Sequence, residues 1–489
     1  MKKILFPILL MNLAVAYAAD YYWAGVSAGG SGVNWGTLSN WNPVGTPASF
    51  DNAHFENFAA NVIDGASQYG VNGLSEVNDL IINNLTIPTN SRFFIYTKDS
   101  AVINGDVIMG NVDTIDSGNE WRSTNIRGES EGKTLAILGA VTIAPTSTTT
   151  QKNASVLTFG GTNISGFYKS LTIGENAEID TATGYKTAVY LDATYAGARL
   201  ELAGVNNIGD TSNWAVIKGV VKMNNSADGS KFASLMISRN ELNPEMSSSY
   251  VSIGGISGTG RILTKIVNDG DKTGVSYLTF SNAEGVNTTF NGTIARVNSD
   301  YKDNVAFIMD GTGTQTLSLS GNTAGVVGVT VKNGTLYYSN SDSSGKLVME
   351  GGKFGAVNGS AEFDSAVWSG GKISYANHEA FFYGTPEMII INGEFEKALD
   401  GQIAIDFEGL DATDLIGYSF DLILADSIKG FLDDANDDFV AENLKNALAD
   451  FAWNGGTLQV TFTQVPEPAA LAALIGAFAL LFAIRRRRK

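Results

Sequence analysis

The chain has no cysteine and only two histidines, His54 and His378. The first absence removes disulfides, thiolate zinc sites and thiol catalysis, and the second leaves a histidine-rich metal centre without enough ligands. Proline is scarce, at nine residues, and charged side chains make up only 17% of the 489, too few to lace long helices with ion pairs. Basic residues are outnumbered 32 to 50, for a formal charge of -18. The body has no Lys- or Arg-rich patch suited to a phosphate backbone, which excludes nucleic acid as a partner.

Glycine is abundant, at 55 residues, set among Ser, Thr, Asn and Val. From about Asp79 to Lys353, short apolar alternations such as "LIINNLTI", "KTLAILGAVTI", "SLTIGENAEI" and "TLSLSGN" recur, each closed by Gly, Asn or Ser. Period-two alternation ended by turn formers predicts strands. Three segments match one another: "VLTFG" at 156–160, "YLTFSN" at 277–282 and "TLSLSG" at 316–321, the last two each preceded by a Gly-Thr-Gly turn. A hairpin with one apolar face cannot stand alone, whereas stacked turns bury a continuous core.

The expected fold is therefore all-β: an elongated, right-handed parallel β-helix or similar β-solenoid, with a multi-domain β-sandwich as the alternative. The expected divisions are a leader over 1–19, an aromatic-rich cap over 20–78, solenoid repeats over 79–353, a C-terminal β region over 354–464 and a tail over 465–489. Within "DDANDDFVAENLKNALADF", Val440, Leu444, Ala447, Leu448 and Phe451 fall at helical spacing behind Asp437 and Asp438, which predicts one short amphipathic helix near 437–451.

Both ends carry processing signals. "MKKILFPILLMNLAVAYAAD" joins Lys2 and Lys3 to an apolar stretch and small residues at Ala16, Ala18 and Ala19, the pattern of a secretory signal peptide. At the other end Pro466, Glu467 and Pro468 precede an apolar run from Ala469 to Ile484, then Arg485, Arg486, Arg487 and Arg488. That run reads as a C-terminal transmembrane segment. At 1.5 Å per residue it spans about 24 Å, short against a hydrocarbon core of about 30 Å. The arginines favour the cytoplasmic side, and the prolines hold an extended link at the membrane surface. The readings are a discarded address label or a plain anchor. Loss of the leader and of the segment after Glu467 withdraws seven basic residues and takes the formal charge to about -25.

Candidate chemistry is sparse, and no metal or cofactor is expected. Asp434, Asn436 and Asp438 alternate like the first ligands of a calcium loop, but Phe439 stands where such a loop turns on Gly, and helix capping accounts for them better. Asp406 and Glu408 would share a strand face as a glycosidase pair does, although a solvated acidic face is the simpler reading. Ser27 lies in "GVSAG", but "GSGVNWG" follows where a nucleophile elbow needs a helix. "GGISGTGRIL" lacks the lysine of a phosphate loop. Trp23, Trp35 and Trp41 offer flat apolar faces for stacking on glycans, or else a lid on the solenoid end.

The order of Pro466, Glu467 and Pro468, apolar run and arginines resembles the PEP-CTERM sorting signal of Gram-negative bacteria. The resemblance implies an exosortase-type processing protease and the secretion machinery as partners. It also implies export with transient inner-membrane retention, then delivery to the cell envelope, outer surface or extracellular matrix. "ISGTGRILTKI" with "YLTFSN", and "GTGTQTLSLSGNTAGVVGVTVKNGTLYYS", look like autotransporter-associated β-strand repeats, and "YYWAG" with "NWGTLSNWN" looks like the leader region often joined to them. A basic tail replaces the translocating barrel of true autotransporters, which argues against self-translocation.

The leading expectation is an exported, non-enzymatic cell-surface or matrix protein acting in structure or adhesion, in contact with exopolysaccharide or envelope glycans. The alternatives are a glycan-binding surface module or a β-helix polysaccharide lyase or hydrolase.

Overall fold

The computed structural model describes residues 18–24, 34–56, 68–83, 85–87, 92–114, 124–128, 132–146, 155–160, 168–204, 210–240, 248–267, 274–296, 303–321, 325–340, 342 and 344–465. These hold 38 strands and two short α-helices, and 36 of the strands join one sheet whose pairings are mostly parallel. The chain is all-β with a solenoid-like architecture.

Three parallel ladders run through it. The first stacks Asp20–Trp23, Asn52–Glu56 and Leu80–Asn83 at one end and reaches Ile403–Asp406 and Phe439–Glu442 at the other. The second stacks Thr124–Gly128, Ser155–Gly160, Ala198–Ala203, Ala233–Asn240 and Arg261–Val267, and ends on the second half of Asn287–Arg296. The third climbs from Lys133–Ile137 through Tyr168–Ile173 to Ser419–Lys429. Each turn of the coil thus carries three strands as far as Asn287–Arg296 and two after it. Turn length changes accordingly: Leu157 pairs with Leu200, 43 residues on, whereas Val329 pairs with Leu347, 18 residues on.

Alternation along each strand sends every second side chain inward, so stacked strands build columns of core residues. One column on the first ladder runs Phe55, Ile82, Met109, Ile143, Leu191, Met223, Gly258, Phe290, Leu317, Tyr338. Every side chain in it is fully buried, which contributes about 1.5–3 kcal/mol for each large apolar group. Gly258 has to be glycine for the backbone: its φ is +91°, and a Cβ there would lie 2.0 Å from the Met223 carbonyl oxygen.

The three matching segments are all strands, but they lie on different ladders. The segment at 156–160 pairs within the second, Tyr277 pairs with Ala306 on the third, and Leu317 pairs with Tyr338 on the first. Their likeness reflects a shared alternation of large and hydroxyl side chains rather than equivalent places in successive turns.

Both ends are closed. At the start, Trp23 and Trp35 both pack edge-on to Trp41, with ring centroids 5.0 and 4.8 Å away, over Phe55. At the other end Thr457–Gln464 pairs antiparallel with both Ser419–Lys429 and Ala447–Asn454, so the third ladder does not end in an open parallel edge.

This closure corrects the helix expected near 437–451. The helix there is only Ala435–Asp438, after which Phe439–Glu442 joins the first ladder and Ala447–Asn454 forms the hairpin. Asn443 and Asn446, at φ 51° and 62°, turn the chain between the two strands. Among the described residues no helix is long and apolar enough to cross a membrane. The apolar run from Ala469 to Ile484 lies outside them, as does most of the leader.

Candidate functional site

The acidic pair suggested by the sequence does converge, but on a lysine. Asp406 ends the strand Ile403–Asp406, and Glu408 follows in the left-handed region at φ 50°. Lys353, two strands away on the first ladder, donates from Nζ to Asp406 Oδ2 at 2.7 Å and to Glu408 Oε1 at 2.8 Å. Ser374 Oγ donates to Glu408 Oε1, while Asn443 Nδ2 and the Glu408 amide donate to Asp406 Oδ1. Burial pushes the Asp406 carboxyl up, but these hydrogen bonds together outweigh it and hold it below its ordinary value. Burial also pulls Lys353 down, and its two carboxylate partners outweigh that and hold it well above the usual lysine range.

Both groups are therefore charged at neutral pH and spend that charge on each other, as a clamp across three strands. The Asp406 contribution is present above the ordinary aspartate range and is lost as pH falls through its depressed folded value; the Lys353 contribution is present below the ordinary lysine range and is lost as pH rises through its raised one. Asp406→Asn is expected to cost about 1–2 kcal/mol at pH 7 and progressively less as pH falls through the depressed folded value of Asp406, measured by urea unfolding at pH 7 and across the acid range.

Trp23, Trp35 and Trp41 are 4%, 4% and 1% exposed, and Trp41 Nε1 donates to the Trp35 carbonyl oxygen at 2.9 Å. Their faces are taken up by the end of the core, which withdraws them as glycan-stacking residues and leaves them as its lid. Asp434 accepts from the Asn436 amide at 2.9 Å and caps the short helix, in keeping with the capping reading. Asp438 is instead fully buried against Lys397, 2.6 Å away, and takes the Leu432 amide on its other oxygen. Among the described residues no group of three or more His, Asp or Glu is placed to hold a metal ion. Ser27 and the motif Pro466, Glu467 and Pro468, with Arg485 to Arg488, lie outside the described residues.

The sequence reading missed an open groove of about 630 Å³ beside the helix His378–Phe382. The helix belongs to an excursion over residues 375–387, between the strands Lys372–Ser374 and Met388–Lys397. Two anchors fix it: Phe381 inserts among Tyr375, Phe407, Phe420 and Phe462, and His378 Nε2 donates to the Phe407 carbonyl oxygen at 2.9 Å. Burial, with a smaller contribution from the Glu387 charge, pushes the Tyr375 phenol far up, so it stays protonated and donates to the Leu422 carbonyl oxygen. Past the anchors the loop closes on itself, with the Tyr383, Gly384 and Thr385 amides donating to the carbonyl oxygens of Glu379, Phe381 and Ala380.

Tyr383 is thereby held 79% exposed at the groove, next to Glu379. Glu387 lines the same groove but is only 5% exposed, and its Oε1 accepts from Asn377 Nδ2. Asn358 and Ser360, from the preceding turn, also line it.

Comparison with family models, curated proteins and solved structures finds no match.

Proposed function

We propose that this chain is an exported, non-enzymatic scaffold of a bacterial cell surface or extracellular matrix, with its leader and its Pro466-Glu467-Pro468 tail acting as address labels. An exosortase-type protease would remove the tail, and the secretion machinery would carry the body. The observation that carries the reading is the filled core: apolar columns occupy the coil along its length, aromatic and antiparallel lids close its ends, and function is left to the outer surface. The Lys353, Asp406 and Glu408 cluster supports it as well. A lyase or hydrolase needs such charges free to meet substrate, and here they neutralise one another.

Intact mass of the protein recovered from the outer surface tests this directly. The expected mass corresponds to a chain beginning near Asp20 and ending near the Pro466-Glu467-Pro468 motif. Full-length protein with Arg485 to Arg488 present on the outer surface would contradict the sorting role.

A further inference from the structure

The groove beside His378–Phe382 has the parts of a sugar subsite. Tyr383 presents its ring to solvent at 79% exposure with no ring partner among the described residues, although three backbone hydrogen bonds hold its loop in place. An exposed phenol ring fixed in this way costs little further ordering when it stacks on the apolar face of a pyranose.

The second observation is independent of the ring. Glu387 is more than nine-tenths buried, yet only its Oε1 has a partner, Asn377 Nδ2, and Oε2 takes no hydrogen bond among the described residues. A carboxylate fixed through one oxygen, with the other reached only by the water of the groove, offers a positioned acceptor to a ligand donor that displaces that water. Among the described residues no Lys, Arg or His lines the groove, and Glu379 adds a second acceptor beside Tyr383.

We propose that this groove binds a pyranose chain rich in hydrogen-bond donors, hydroxyl or ammonium, and free of carboxylates. Tyr383 stacks on one ring, and Glu387 Oε2 and Glu379 accept from its substituents. Uronate chains are excluded, because their carboxylates would face Glu379 and Glu387 with no cation between. The site stands whether or not the chain is an exported scaffold.

Calorimetric titration of the full chain in a sugar-free detergent tests it, with a glucosamine hexamer, a glucose hexamer and a galacturonate hexamer as probes. The glucosamine or glucose hexamer is expected to bind, the first more tightly if ammonium is the preferred donor, and the galacturonate hexamer is not. Tyr383→Ala, at a position too exposed to threaten folding, is expected to weaken binding about tenfold, while Tyr383→Phe keeps most of it. Glu387→Gln is expected to weaken the glucosamine hexamer more than the glucose hexamer. Binding of neither donor-rich hexamer, equal binding by Tyr383→Ala, or preference for galacturonate would each overturn the proposal. Cleavage of a bound hexamer would instead overturn the non-enzymatic reading while leaving the ligand class intact.

Discussion

Lys397→Met is expected to destabilise the C-terminal end of the coil by about 3–5 kcal/mol, the cost of leaving one half of a buried ion pair uncompensated. Lys397 and Asp438 are 6% and 0% exposed, so water cannot take over from the missing ammonium. The pair joins the strand Met388–Lys397 to the turn that launches Phe439–Glu442, the last strand of the first ladder. Because each turn of a coil contacts only its neighbours, the loss is expected to be local: faster hydrogen exchange over 419–464, with little change before about residue 340. Lys397→Met combined with Asp438→Asn is expected to recover much of the loss, since Asn keeps an acceptor for the Leu432 amide without the charge. Equal damage from the single and double variants would mean that packing, not charge, holds this corner.

Gln315→Leu is expected to cost at least about 3 kcal/mol, although the replacement is apolar and of similar size. Gln315 is fully buried where the coil changes from three strands per turn to two. There the first ladder is thin, because Ile256–Gly258 meets the next strand through a single register pair, Gly258 with Phe290. Gln315 reaches back across the gap: its Oε1 accepts from the Ile256 amide at 2.9 Å and its Nε2 donates to the Ile256 carbonyl oxygen at 3.0 Å. Thr288 Oγ1 donates to the same Oε1, and Asn282 Nδ2 donates to Thr288 Oγ1. Leucine would strand the Ile256 amide and carbonyl in the core, each at about 1–3 kcal/mol. Urea unfolding, with hydrogen exchange at 256–258 as the local readout, measures it; unchanged stability would show that the gap tolerates unpaired groups.

The strands were legible because alternation and turn formers are local signals, and "TQTLSL" and "SYLTF" carry both within a few residues. The helix near 437–451 was misread for an equally local reason. A spacing of four satisfies a helix and a strand alike, and Ala447 and Phe451 share a face in either. What separates them is the residue between: Leu448, on the helical stripe, is 48% exposed, whereas the strand face carries Ala449 and Trp453 against the core. The buried role of Asp438 depends on Lys397, 41 residues away in sequence, and no spacing rule reaches that far.

The site was less legible than the fold. Asp406 and Glu408 were visible as neighbours, but their partner Lys353 becomes adjacent only through the register of three stacked strands. The tryptophans were visible as a cluster, and the choice between lid and stacking face rested on burial, which composition does not carry. The groove had one signal in the sequence: "NHEAFFYGTPE" interrupts the strand alternation with three consecutive aromatics that cannot all face the core. Phe381 does, and Phe382 and Tyr383 do not.

The parallel coil underlies the scaffold reading, both stability predictions and the groove, and the chain's lack of cysteine makes it directly measurable. Thr330, Val348 and Val367 form an outward column on three successive turns of the third ladder. Neighbouring parallel strands lie about 4.8 Å apart, within disulfide range, and strands two turns apart lie about 10 Å apart, beyond it. The account predicts that Thr330→Cys with Val348→Cys oxidises to an intramolecular disulfide, while Thr330→Cys with Val367→Cys stays reduced. A reduced first pair or an oxidised second pair would contradict the register on which the coil rests.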